Sequence, residues 1–437
     1  MSLAALLFPT IIHCLTLMGL KKIAIFTLLA IGACTIAAQR TTIASERIKT
    51  VRLVVDGNAS RPPILIKGSN STIEVSFDDL THEYERYVYR IEHCNFNFQP
   101  SEELFESDYL ISAGNEEVID DYEPSLNTTV LYNHYTFTIP NSNMQPLLSG
   151  NYRLQILKED DNGELSPVVT TFFYIVEPLV SISTQMTTNT EIDWDGSHQQ
   201  LEMRVQTQQL PQGNIADEIK TIILQNRRWD NAIRSPKPTS VMGTELLWQH
   251  SRDLIFKAGN EYRKFEMQST HVAGMRLDYL RWYPPFYHAA IMPDKPRRNY
   301  LYDEDLSGRY IVSTVEGTDN DTESDYILTH FTLYSEQIPG YDVYLNGHWT
   351  YDQFVPDYRL DYNFEEGAYE GTVLIKQGYY NYQYLAVPHG QNYGGETGPF
   401  EGNYFQAENE YIVLVYYRRP GERYDRLVGT SLFYFRP

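Results

Sequence analysis

A run of tyrosines is the densest set of side chains in this sequence that could bind a ligand. Four of them fall within Tyr379–Tyr384, interleaved with Asn381 and Gln383. If this run is a strand, alternate side chains point to opposite faces, and one face carries a row of rings: Tyr380, Tyr382 and Tyr384. The opposite face is then polar and wet. Tyrosine combines a large apolar area with a polar tip, so the row suits sugar stacking, a protein interface or the buried side of a sheet.

The residue types that usually perform catalysis form no recognisable motif. The adjacent pair His93-Cys94 would lie on opposite faces of a strand, so the two side chains do not share a metal ion or a proton. The sequence contains no G-x-S-x-G, H-E-x-x-H, P-loop or G-x-G-x-x-G motif. Acid pairs such as Asp120-Asp121 fall beside turn residues, where solvated charge is typical. We therefore expect no catalytic residue, metal ligand, cofactor or enzymatic activity.

The amino-acid composition limits the classes of partner that the protein is expected to bind. The 437 residues include 35 Lys plus Arg and 57 Asp plus Glu, a formal net charge of −22. This balance argues against nucleic acid and anionic lipid, both of which attract clustered positive charge. A basic partner is compatible with it, as is a plain role in solubility. The 35 tyrosines and 19 phenylalanines favour strands over helices.

The first 38 residues are typical of an export signal and not of a folded domain. Residues 1–17 are interpreted as an upstream extension. After Met18, two lysines precede the apolar run Ile23–Gly32, and small residues lead to a predicted cleavage site between Ala38 and Gln39. Beyond the signal, no apolar run approaches the roughly 20 residues of a membrane span. We expect an exported protein without an integral span.

A lipid anchor is the rival interpretation of the same segment. Cys34 closes a short stretch that resembles a lipoprotein box, and its modification would tether the chain to a membrane. Cleavage before Gln39 would instead remove both Cys14 and Cys34. The mature chain would then keep Cys94 as its one cysteine, with no internal disulfide.

The rest of the chain predicts an all-β protein of tandem antiparallel sandwiches. Short alternating runs end at Gly, Asn, Asp and Pro clusters throughout. We place three sandwich domains, and the middle one includes a long Pro/Tyr/Arg-rich loop at 278–305: 39–178, 179–324 and 325–437. Within the third, we expect 369–375 and 379–387 to pair as a hairpin around Lys376-Gln377-Gly378.

Aromatic and arginine side chains in loops are candidates for contact with a protein partner, since such residues anchor many interfaces. Most of them lie in the 278–305 segment. The candidates are Arg281, Trp282, Tyr283, Phe286, Tyr287, Tyr393 and Phe400.

The third domain resembles the early-set sandwiches related to glycogen-binding modules. The similarity lies in Val343–Trp349 and in the strands on either side of Gly378. Those modules stack glucose on a tryptophan, but the equivalent position here is Asp352, and Trp349 falls where the modules have an inward-packing phenylalanine. The alternative function is therefore a periplasmic or surface carbohydrate-binding protein, with Tyr380, Tyr382 and Tyr384 as candidate stacking residues.

A second resemblance covers nearly the whole mature chain. The motifs Tyr89–Cys94, Asp121–Thr129, Gln225–Asn231, Asn260–Glu266 and Ile375–Tyr382 resemble the plug protein family of the bacterial type IX secretion system. This resemblance implies a non-enzymatic protein in the periplasm, peripherally associated with the outer membrane and monomeric apart from its complex. It implies as partner the large outer-membrane β-barrel translocon, whose periplasmic opening the family seals.

Overall fold

Strands with period-two alternation build almost all of the structure, which confirms the predicted all-β fold. The computed structural model describes residues 39–437 apart from residues 113, 115, 161 and 212. The predicted signal peptide, the upstream extension and Cys34 lie outside these residues. Residues Arg40–Pro437 form one compact unit. Its two short α-helices are α1 (Glu106–Tyr109) and α2 (Ile215–Glu218), and single 3-10 turns lie at Arg252–Leu254, His348–Thr350 and Pro356–Tyr358.

The first twelve strands form a sandwich. Their bounds are β1 Thr42–Ile43, β2 Ile48–Val55, β3 Ile64–Ile66, β4 Ile73–Asp79, β5 Tyr87–Cys94, β6 Leu110–Ser112, β7 Glu117–Ile119, β8 Tyr122–Pro124, β9 Asn133–Ile139, β10 Met144–Pro146, β11 Gly150–Glu159 and β12 Leu165–Val176. One sheet has the order β1-β12-β11-β5-β7, with β3 beside β12, and the facing sheet has the order β2-β4-β9-β8; β6 and β10 form a separate two-stranded sheet. Inward residues of both sheets, such as Phe77 and Leu154, share one core.

The next eleven strands form one whole sheet and parts of two others. They are β13 Ser181–Thr187, β14 His198–Gln206, β15 Ile219–Gln225, β16 Ile233–Arg234, β17 Ser240–Met242, β18 Glu245–Trp248, β19 Ile255–Lys257, β20 Arg263–Met267, β21 Leu277–Tyr283, β22 Phe286–Ile291 and β23 Tyr310–Val312. Strands β13, β14, β17, β18 and β19 form one sheet.

The last seven strands complete the remaining sheets. They are β24 Tyr326–Tyr334, β25 Tyr341–Asn346, β26 Arg359–Asn363, β27 Ala368–Lys376, β28 Gly378–Pro388, β29 Asn409–Tyr417 and β30 Arg426–Phe435. The sheet β16-β15-β29-β30 packs on the sheet of β13 and β14 over a second core. A nine-stranded sheet has the order β20-β28-β25-β26-β27-β24-β22-β21, with β23 beside β28. It curls around a third core, because residues from most of its strands meet in one cluster.

Two of these sheets contain strands from both sides of residue 324. Strand β15 pairs with β29, and β20 pairs with β28. The segments 179–324 and 325–437 therefore build two of their sheets jointly, and the domain boundaries at 178 and 324 stay predictions.

The predicted hairpin around Lys376-Gln377-Gly378 is wrong. Strands β25 and β26 lie between β27 and β28 in the sheet, so the two strands are not neighbours. The connecting residues are buried, and Lys376 Nζ donates to Asp78 Oδ2 at 2.6 Å. Gly378 serves a close backbone approach, since a Cβ there would lie 2.2 Å from the carbonyl oxygen of Ile311.

The predicted loop at 278–305 is also wrong over its first half. Residues Leu277–Tyr283 and Phe286–Ile291 are the antiparallel strands β21 and β22. The prolines that suggested a loop, Pro284 and Pro285, occupy only the turn between them. Proline at a hairpin tip costs no ladder hydrogen bond, so it is compatible with strands on either side.

Candidate partner-binding surface

The aromatic residues of the β21–β22 hairpin lie on the terminal strand pair of the nine-stranded sheet. Tyr283 pairs with Phe286 and Arg281 with His288 across the hairpin. Strand β22 continues the sheet through parallel pairing with β24, and β21 is the end strand. The hairpin is therefore fixed at its base and presents its turn at the sheet margin.

One face of the hairpin is buried near the core and becomes exposed toward the turn. Ala289 is fully buried and Leu280, its cross-strand partner, packs against the third core. Further toward the turn, Trp282 pairs with Tyr287, and their ring centroids lie 4.9 Å apart. Trp282 keeps 44% of its surface exposed, so this face ends in an accessible indole.

The other face carries a ladder of rings and cations that crosses three strands. The Arg281 guanidinium lies over the Tyr279 ring at 5.4 Å, and Tyr283 meets His288 at 5.5 Å. His288 stacks on His330 of β24 at 5.1 Å. Tyr283 is 49% exposed. Together with the indole on the opposite face, the ladder supplies the aromatic and arginine side chains that dominate binding energy at protein interfaces.

The two histidines are coupled to each other. His288 Nδ1 lies 2.8 Å from His330 Nε2, and His330 Nδ1 lies 2.8 Å from the Thr372 hydroxyl. In the bond between the two rings, one nitrogen must accept, and an accepting imidazole nitrogen carries no proton. The Thr372 hydroxyl can donate to His330 Nδ1 or accept from it. Burial and the nearby His288 both lower the pKa of His330. At the rim, a hydrogen bond with Tyr283 raises the pKa of Arg281, which stays a cation.

Two predicted contact residues lie elsewhere. Tyr393 is on the loop after β28 and is 42% exposed. Phe400 is fully buried and packs its ring against Tyr369 and Tyr384, so it belongs to the core. The prediction of Phe400 as a contact residue is therefore wrong. The structure brings the other five candidates together: Arg281, Trp282, Tyr283, Phe286 and Tyr287.

Burial contradicts the prediction that the tyrosine row stacks glycans. The rings of Tyr380, Tyr382 and Tyr384 are 2%, 0% and 0% exposed. The Tyr382 and Tyr384 hydroxyls both donate to Asp294 Oδ2, at 2.7 and 2.9 Å. The row is the inner face of β28, where each polar tip has a partner.

The opposite face of β28 is not wet, as the sequence suggested, because other strands cover it. Asn381 and Gln383 are both buried. Gln383 donates to the Tyr262 hydroxyl and to Asn346 Oδ1. The polar face of this strand is therefore part of an internal hydrogen-bond network.

The position equivalent to the glucose-stacking tryptophan is likewise internal. Asp352 is buried and accepts hydrogen bonds from the backbone of Trp229 and Asp230 at 2.7 and 2.9 Å. Trp349 packs into the third core, as expected from its place in the resemblance. The sheet thus keeps a sandwich framework, but the position that stacks glucose in those modules carries a buried carboxylate here.

The side chains of His93 and Cys94 are both buried. His93 Nδ1 lies 2.8 Å from the Ser101 hydroxyl, and burial lowers the pKa of this histidine to about 4. Burial raises the pKa of the Cys94 thiol to about 12. A thiol so protected from ionisation is a poor nucleophile.

Across residues 39–437, with the four gaps given above, no group of three or more His, Cys, Asp or Glu is arranged to hold a metal ion. None of the helices in this same part of the chain is long and apolar enough to cross a membrane.

The hairpin candidates could be found in the sequence by residue type, and two of their neighbours could be found from strand periodicity. Tyr279 and His288 follow the period-two pattern of β21 and β22 and were detectable from it. His330 reaches the ladder through parallel pairing of β24 with β22, a contact that no local pattern in the sequence reports.

Comparison with known proteins identifies the family. Residues 48–177 match the family model described as the type 9 secretion system plug protein 1st domain. A solved structure of a hypothetical protein from Parabacteroides merdae ATCC 43184 is 38% identical, with a TM-score of 0.87, and the match covers 91% of this chain and 100% of that one. The structure of BcpA, the major pilin subunit of Bacillus cereus, is 10% identical over 53% of this chain and 64% of that one; its TM-score of 0.16 carries no argument. No curated protein matches the chain. The chain belongs to the type 9 secretion system plug protein family.

Proposed function

We propose that this protein is a non-enzymatic periplasmic plug that docks on the outer-membrane translocon barrel of type IX secretion and seals its periplasmic opening. The observation that carries the proposal is the match of residues 48–177 to the plug protein family. The proposed location follows from the same match together with the predicted export signal.

The fold supplies what such a plug requires. Three cores enclosed by sheets give rigid surfaces, and rigid surfaces lose little entropy on docking. A stable interface needs about 1,600 Å² of buried surface in total. The whole chain exposes 21542 Å², so such an interface takes a small part of it.

The β21–β22 hairpin is the proposed contact surface. Trp282 and Tyr283 are exposed there, and the Arg281 guanidinium lies over the Tyr279 ring. Tryptophan, tyrosine and arginine are the residue types that anchor many interfaces. The acidic net charge of −22 additionally suits a partner rim rich in Lys and Arg.

Co-purification tests the proposal. Mild cross-linking of cells that carry the native secretion system, followed by detergent extraction, should recover the protein with an outer-membrane β-barrel of unusual size. Trp282→Ala should lower the yield of the complex, whereas Trp194→Ala, which removes an indole that is 75% exposed elsewhere, should not. Recovery of the unmodified protein solely as a free monomer would contradict the proposal.

A further inference from the structure

A cleft of about 530 Å³ lies beside the nine-stranded sheet, away from the β21–β22 hairpin residues. One side is the segment Thr41–Thr50, at the start of the first sandwich. The other side is the stretch Thr372–Lys376 of β27. A volume of this size is within the range of ligand sites, which is about 300–1,000 Å³.

Five consecutive residues of β27 line the cleft because the strand has a free edge there. Strand β24 pairs with β27 along Ala368–Lys376, whereas β26 pairs only with Ala368–Glu370. Before β26 the chain turns aside in the 3-10 turn Pro356–Tyr358. Proline cannot donate to a ladder, so this turn does not extend the pairing.

The free edge carries unused main-chain groups. Within the described residues, no loop backbone or side chain makes a hydrogen bond to the main chain of Thr372–Ile375. Alternate N–H and C=O groups of this stretch therefore face the cleft. Such a row is a template for an incoming strand.

The walls of the cleft are suited to the side chains of that strand. The half-buried ring of Tyr358 lines the cleft, and the almost fully buried rings of Trp349 and Tyr380 complete this aromatic wall. On the other wall, β2 is the end strand of its own sheet. A segment that pairs with β27 would place every second side chain against the aromatic wall.

The charges of the cleft favour a neutral or basic segment. Lys376 is neutralised by Asp78, with 2.6 Å between Nζ and Oδ2, which leaves Lys49 as the cation of the lining against two carboxylates. Glu46 and Asp357 line the cleft and are exposed. Since the chain as a whole carries −22, lysines or arginines flanking an apolar segment would be complementary.

We propose that this cleft binds an extended segment of another protein, which adds to the sheet as a strand along Thr372–Lys376. Main-chain hydrogen bonds supply the affinity of such strand addition, and the aromatic wall selects apolar residues at alternate positions. The paired stretch spans five residues, or about 17 Å. This proposal does not rest on the proposed docking on the translocon, although the two surfaces meet where the Thr372 hydroxyl lies 2.8 Å from His330 Nδ1.

A model peptide tests the proposal. The probe is a fluorescein-labelled eight-residue peptide of alternating valine and threonine with a lysine at each end, titrated into the full mature chain and followed by anisotropy. We expect saturable binding. The same peptide with every second amide N-methylated should bind at least about 10-fold more weakly, because it has lost its donors along one edge. No binding up to about 1 mM, or equal binding of both peptides, would overturn strand addition.

Two variants locate the binding. Thr372 is exposed and lines the cleft, so Thr372→Arg should fill the entrance and weaken binding of the probe at least about 10-fold. The matched control is Thr332→Arg, on the adjacent strand β24 and outside the cleft. Hydrogen exchange of the Thr372–Ile375 amides should slow when the peptide is bound. Equal affinity of the two variants, or unchanged exchange under saturation, would overturn the assignment.

Discussion

The tyrosine strand β28 and the hairpin β21–β22 have similar residue types and opposite environments. In β28, Tyr382 and Tyr384 are fully buried and donate to one carboxylate. In the hairpin, Trp282 and Tyr283 keep 44% and 49% of their surfaces exposed. Both regions alternate with period two, and both belong to the same sheet.

Position in the sheet accounts for the difference. The tyrosine face of β28 packs in the third core and its polar face contacts Tyr262 and Leu306, so its polar groups need internal partners. Strand β21 ends the sheet, and its hairpin continues beyond the core that buries Ala289. An exposed aromatic group is therefore evidence for binding only where the sheet leaves it uncovered.

The largest expected effect comes from the buried strand. Tyr382→Ala should lower the free energy of unfolding by about 4–5 kcal/mol, because it leaves a cavity in the core and removes a donor from Asp294. Urea denaturation of the purified chain measures this. A loss below about 1 kcal/mol would show that the core relaxes around the missing ring and would weaken the comparison.

The segment that leads into β28 should be nearly as sensitive. Lys376→Met should cost about 3 kcal/mol, since it leaves the Asp78 carboxylate buried without its cation. Burial opposes the ionised form, but Lys376 and His134 lower the pKa of Asp78 to about 2. The control Lys264→Met removes a pairing with Asp303 that is partly exposed, and should cost less than about 1 kcal/mol. Equal losses would contradict the account.

The polar side of β28 should give a pH dependence that the hairpin lacks. Burial raises the pKa of Glu261, next to Tyr262, to about 7. The folded protein then binds more protons than the unfolded chain above the usual pKa of 4.5, so stability falls as the pH rises from there to about 7. Glu261→Gln should remove this loss, roughly 1–2 kcal/mol at pH 8 after allowance for solvent screening. The measurement is the unfolding free energy of both proteins from pH 4 to 8. A constant difference between them would exclude the shifted carboxyl as the cause.

The smallest effect on stability is expected in the hairpin. Trp282→Ala should change the unfolding free energy by no more than about 0.5 kcal/mol, because the indole lies outside the core, is 44% exposed and packs against Tyr287. Thermal unfolding beside the Tyr382→Ala variant is the direct comparison. A loss approaching that of Tyr382→Ala would mean that the hairpin supports the core and is not a free surface.

Local patterns predicted the strands well and their neighbours poorly. Alternation in the sequence located β27 and β28 to within one residue at each end, because side-chain period is a property of each strand alone. The hairpin of β21 and β22 was missed because Pro284 and Pro285 were interpreted as a loop. The pairing of β27 with β24, and not with β28, depends on contacts that are distant in sequence.

The same reason limited the prediction of sites. Lys376 was expected in a surface turn, but its partner Asp78 lies 298 positions earlier in the chain. The candidates in the hairpin were found by residue type, whereas the His288–His330 contact required the parallel register of two strands. Burial of the tyrosine row was one of the alternatives that the sequence left open. The choice between them required the three-dimensional packing of β28.

Site-specific photo-cross-linking tests the central claim most directly, namely that the hairpin contacts the translocon. Benzoylphenylalanine would replace Trp282 in one strain and the more exposed Trp194 in another, each with the native secretion system present. The account predicts a cross-linked product with the large outer-membrane β-barrel from position 282 and none from position 194. Cross-linking to the barrel from position 194 alone, or from neither position, would contradict it.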